Sequence, residues 1–154
     1  MNKTVYNVTR RFARDFDHNI MDTVWVSISE PGDDTSKVQN TLLESVPNLQ
    51  TAFYDATPPT YDMGRFTMHP ATEEDIAPLV DFLVEHQEKD VVVNCAFGVS
   101  RSGAVAQFCQ NVLNYNWNPQ CKNQANPNKY IYALMVRYYR KKYLYSQPAT
   151  PTIP

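Results

Sequence analysis

A cysteine and an arginine stand six residues apart in the segment NCAFGVSRSG, as Cys95 and Arg101, with Ser102 and Gly103 directly behind them. A thiol becomes a strong nucleophile when its surroundings favour the thiolate. A guanidinium offers a planar fork that matches two oxygens of a phosphoryl group. The five residues between them include Gly98, which allows a close backbone approach or a positive φ. The spacing therefore describes a nucleophile, a short turn and a clamp for a tetrahedral anion.

The elements around this segment fix how those groups would be presented. The β-branched run VVVN (91–94) has almost no polar alternation, so it reads as a central strand covered on both faces. After Arg101, Val105, Phe108, Cys109 and Val112 recur at helical spacing, which starts a helix at about Ser102. Between strand end and helix start, the N–H groups of Ala96, Phe97, Gly98, Val99, Ser100 and Arg101 lack regular partners. They can curl around one point as an anion-binding nest, and the helix dipole adds positive potential there. Such a setting depresses a cysteine pKa from about 8.5 into the range of roughly 3.5–7.5. Cys95 is the expected nucleophile, residues 96–101 the phosphate cradle, and Ser102 at least a helix cap.

Elsewhere TVWVSI (23–28) and LQTAFY (49–54) read as strands. EPGDD follows the first as a turn, and the loop DATPPTYDMG follows the second. Ile76, Leu79, Val80 and Leu83 mark an amphipathic helix that opens on TEED, with Thr72 as N-cap and acids in the first turn. Residues 114–128 read as a polar loop. Ile131, Leu134, Met135 and Tyr138 mark a last helix, and SQPATPTIP is a Pro-rich tail. Alternating strands and helices give an α/β class with a central, mostly parallel sheet flanked by helices. The organisation is one domain over residues 1–145 and a tail over 146–154.

Bulk properties narrow the function. The chain has 154 residues, enough for one domain with a real core, and a net charge of −2. That balance gives no strong signal for nucleic acid, and no apolar run reaches the roughly 20 residues that span a bilayer. RYYRKK (137–142) concentrates positive charge and reads as a solvated helix face. Three cysteines are too few for a disulfide framework, and no Cys-His spacing resembles a metal site. A reducing cytoplasm is the expected location. Cys109 falls on an apolar helix face, Cys121 in a polar loop. His18, His69 and His86 are isolated and read as surface or capping residues.

C-A-F-G-V-S-R-S resembles the signature loop of the cysteine-dependent protein tyrosine phosphatases, C-x5-R-[ST], and its GVSRS ending is similar to the dual-specificity members. AFYDATPP, HPATEEDIAPLVDFLVEH and VVVNCAFGVSRSGAVAQF are similar to small dual-specificity-like phosphatases of bacteria and their phages, and the likeness spans roughly residues 20–140. The resemblance implies a protein tyrosine phosphatase-like fold and hydrolysis of phosphate monoesters through a phosphocysteine, without metal or cofactor. It implies a phosphorylated protein as substrate, with phosphotyrosine first and phosphoserine or phosphothreonine beside it. It gives Ser102 a second role, a hydroxyl bond to the cysteine sulfur. It favours Asp55 as general acid, with Asp62 as runner-up. Where the family has histidine before the cysteine, this sequence has Asn94, which donates hydrogen bonds but carries no charge. Phosphatases of RNA 5′ ends, nucleotides or phosphoinositides are the alternative enzymes, and a catalytically weak phosphoprotein-binding module is the alternative of another class.

Overall fold

The structure is a computed structural model that describes residues 3–58, 61–62 and 67–145. Five parallel strands form one sheet in the order β3-β2-β6-β1-β7: β1 (Thr4–Thr9), β2 (Thr23–Ser29), β3 (Asn48–Ala52), β6 (Asp90–Cys95) and β7 (Asn116–Trp117). The expected parallel α/β architecture is present. The run 91–94 occupies the central strand, with β1 and β2 as its neighbours. Its period of two sends Val91, Val93 and Cys95 into the main apolar cluster, while Val92 packs on the second cluster behind the sheet.

Helices cover both faces. The main cluster joins the sheet to α3 (Glu73–Glu85), α4 (Arg101–Leu113) and α6 (Lys129–Tyr139), through residues such as Leu79, Phe108 and Met135. Trp25, Ala13 and Leu43 form the other, beneath α1 (Arg10–Asp15) and α2 (Thr41–Glu44). α3 begins where TEED indicates. The Thr72 hydroxyl accepts from the Asp75 N–H and the Asp75 carboxylate accepts from the Thr72 N–H, a reciprocal cap.

Several features differ from the sequence reading. The N-terminal segment TVYNVT forms β1, an interior strand. Asn7 breaks its apolar pattern, and yet Asn7 is fully buried. The polar loop 114–128 contains β7 and α5 (Pro119–Gln124), seated on Trp117 and the Asn118 cap. The loop after β3 carries β4 (Tyr61–Asp62), which pairs antiparallel with β5 (Thr67–Met68). α6 runs on into a π-helical turn, Arg140–Tyr145. The tail 146–154 lies outside the described residues. Among the described residues, no helix is long and apolar enough to cross a membrane.

Candidate active site

β6 delivers Cys95 to the carboxyl edge of the sheet, opposite Thr9 at the end of β1. The chain then turns through residues 96–100 into α4. In this turn the carbonyls are tied outward. Ala96 O accepts from Arg10 N (3.3 Å), Val99 O from Asn126 N (3.0 Å) and Ser100 O from Asn128 N (3.1 Å). Gly98 O accepts from the side-chain amide of Asn7 at 2.6 Å. In a trans peptide the N–H points opposite the carbonyl, so anchoring the carbonyls outside turns the amides toward the inside. Gly98 has φ +69°, and a Cβ there would lie 2.6 Å from the Val8 carbonyl carbon. Only glycine lets the turn press this closely on β1.

Cys95 is 3% exposed. Burial alone would raise its pKa. The Ser102 hydroxyl and N–H, the Arg101 charge and the Gly98 N–H outweigh burial and hold the thiol below its ordinary value. The Ser102 hydroxyl sits 3.1 Å from Sγ and the Ser102 N–H donates at 3.5 Å. The contact the resemblance gave to Ser102 is therefore present. Ser102 does not cap α4; Ser100 is the N-cap position and makes no side-chain capping bond.

Arg101 is 5% exposed and held from two sides. One terminal nitrogen donates to Phe53 O at 3.0 Å, the other to Glu30 Oε1 at 2.9 Å. Glu30 Oε2 takes a second arginine, Arg10, at 2.6 Å. Burial works against the Glu30 charge, but the two arginines and the Ser36 hydroxyl keep its pKa below the usual carboxylate value. A carboxylate shared by two guanidiniums fixes the Arg101 fork without a rotamer search.

Asp55 is exposed and lies in the loop after β3, from which it reaches the turn. Its Oδ1 accepts from the Ser100 hydroxyl and from the Asn128 side-chain amide, each at 2.7 Å. Asp62 lies in β4, and its side chain is outside the described residues. Asn94, behind the nucleophile, is buried; its Oδ1 accepts from Trp25 Nε1 (2.9 Å) and Ser27 Oγ (2.8 Å). Its Nδ2 has no partner among the described residues. Cys109 is buried, and desolvation pushes its thiol far above the ordinary range, as expected for a core residue. Cys121 is half-buried, with burial raising its pKa.

The candidates Cys95, Ser100, Arg101, Ser102 and Asp55 thus converge on one turn. Sequence reasoning missed Asn7, Glu30 and Asn128, which hold it. Away from this turn, a groove of about 590 Å³ is lined by Tyr132, Val136, Arg137 and Arg140. Among the described residues no three or more histidine, cysteine or acidic side chains gather in a way that could hold a metal ion.

No protein-family model matches the sequence, and no curated protein matches it. Among solved structures, the chain is similar to Tk-PTP in the active form, at 14% identity and a TM-score of 0.44, over 92% of this chain and 81% of that one. It is also similar to PTPMT1 in complex with PI(5)P, at 18% identity and a TM-score of 0.49, over 90% and 91%.

Proposed function

We propose that the protein is a cysteine-dependent phosphatase that hydrolyses phosphate monoesters through a phosphocysteine. The observation that carries this reading is the Cys95 thiol, held below its ordinary pKa by Ser102, Arg101 and Gly98 at the base of an amide-lined turn. The phosphoryl oxygens lie against the amides of residues 96–101 and the Arg101 fork. Cys95 Sγ attacks phosphorus as the bond to the leaving oxygen breaks, and Asp55 supplies the proton that oxygen needs. Water then attacks the phosphocysteine and gives its proton to Asp55. The departing thiolate takes a hydrogen bond from Ser102. Arginine and amides carry the charge that builds on the equatorial oxygens.

The preferred substrate is a phosphorylated protein, phosphotyrosine first. Phe97 supports that choice: it belongs to the turn and is 80% exposed, an apolar surface against which an aryl leaving group can pack. The test is hydrolysis of phosphotyrosine peptides by the wild type and by Cys95→Ser. The serine variant loses turnover and keeps phosphate binding, because the cradle is intact and a hydroxyl is a far poorer nucleophile at neutral pH. Equal hydrolysis by the two proteins contradicts the mechanism. Binding of phosphopeptide without turnover by the wild type leaves the binding-module reading in its place.

A further inference from the structure

Apart from its backbone carbonyl, which accepts from Tyr132 N within α6 (3.0 Å), Asn128 makes three bonds that tie the site together. Its N–H donates to Ser100 O in the turn (3.1 Å). Its side-chain carbonyl accepts from Ile131 N (3.0 Å) and so caps α6. Its amide nitrogen donates to Asp55 Oδ1 (2.7 Å). The cap decides the orientation of the amide. Turning it over would present two N–H groups to the Ile131 N–H and a carbonyl to the carboxylate. The nitrogen therefore faces Asp55, and the Ser100 hydroxyl donates to the same oxygen (2.7 Å). Oδ2 has no partner among the described residues.

We propose that Asn128 is a positioning residue for the general acid, holding Oδ1 of Asp55 together with Ser100 so that the exchanged proton is carried on Oδ2. This rests on the phosphatase reading above. With two donors on Oδ1, a proton bound to Asp55 has only Oδ2 to occupy. The same oxygen gives the proton to the leaving group and receives one from water in the second step. Both donors are fixed to the turn, Ser100 by sequence and Asn128 through its own N–H. The acid therefore keeps a constant relation to the phosphoryl cradle, which matters because proton transfer is steeply sensitive to geometry.

The experiment compares wild type, Asn128→Asp and Asn128→Ser on phosphotyrosine and on a nitrophenyl ester, alone and combined with Asp55→Asn. Both replacements keep an N-cap acceptor for α6, so folding is preserved while the donor to Asp55 is lost. Aspartate also repels the acid; serine is too short to reach it. The expected result is a drop in kcat of about 10-fold or more on phosphotyrosine, a much smaller drop on the nitrophenyl ester, and KM nearly unchanged. In the Asp55→Asn background, either change at position 128 should have no further effect on kcat. Equal losses on both esters, or a loss that persists without the acid, overturn the proposal while the phosphatase reading stands. If Asp55→Asn itself shows no leaving-group dependence, there is no acid to position and the proposal falls. Hydrolysis that survives Cys95→Ser overturns the phosphatase reading as well, and is seen separately.

Discussion

The thiol of Cys95 is buried and still has a depressed pKa, so its reactivity should outlast a fall in pH that silences ordinary thiols. A depressed pKa means the thiolate persists from high pH down through the ordinary thiol value. Alkylation of Cys95 by iodoacetamide should therefore stay fast below that pH, and Ser102→Ala, which removes the first of the lowering contacts, should move the titration upward. An unmoved titration means that the Ser102 contact does not tune the sulfur. Arg101→Lys keeps a charge and loses the fork, so kcat should collapse with a milder effect on KM; unaltered kinetics mean Arg101 does not touch the phosphoryl group. These residues were legible in the sequence because nucleophile, turn and clamp are contiguous. Glu30, Asn7 and Asn128 were not, because they reach Arg101, Gly98 and Asp55 from 71, 91 and 73 residues away. Glu30 sits in EPGDD, a segment whose composition explains itself as a turn.

At the scale of elements, the turn owes its shape to β1. Asn7 is 0% exposed, and its amide donates to Gly98 O and Cys121 O while its carbonyl accepts from Trp117 Nε1 (2.6, 3.2 and 2.7 Å). Asn7→Leu strands those buried partners at a cost of about 1–3 kcal/mol each. Its urea midpoint should fall and its activity with it. Gly98→Ala puts a Cβ against Val8 and demands a positive φ, and it should lose activity more than stability if β1 yields; full activity means the turn does not depend on the close approach. The apolar runs 23–28 and 91–94 and the periodic helices declared themselves, since burial on a sheet or helix face leaves a plain pattern. β1 did not, because its buried asparagine interrupts the pattern for the sake of the site. β7 and α5 were hidden for a related reason: they are short and polar, held by Trp117 and caps more than by an apolar face.

Across the whole molecule, the parallel sheet sends Thr9, Ser29, Ala52 and Cys95 to one carboxyl edge, where α/β proteins of open-sheet type place their ligands. Two carboxylates knit this arrangement together: Glu30 between Arg10 and Arg101, and Asp81, which accepts from Tyr138 and Tyr143 and pairs with Lys142 across α3 and the π-helical turn. Burial opposes both charges, and their partners still hold both pKa values below ordinary. A carboxyl whose pKa falls on folding stabilises the fold above its unfolded pKa, and that stability is lost as pH drops through the folded value. Thermal midpoints should be flat from neutrality down to about pH 5 and then decline, with a shallower decline in a Glu30→Gln, Asp81→Asn double variant. An equally steep decline in the double variant assigns the acid sensitivity to other groups. The central claim, that chemistry passes through Cys95, is tested most directly by rapid quenching during hydrolysis of an activated aryl phosphate, followed by mass spectrometry of the Cys95 peptide. A phosphoryl adduct on Cys95 that forms within the first turnover, decays as substrate is exhausted and is missing from Cys95→Ser is the predicted result; steady hydrolysis with no adduct on Cys95 would contradict it.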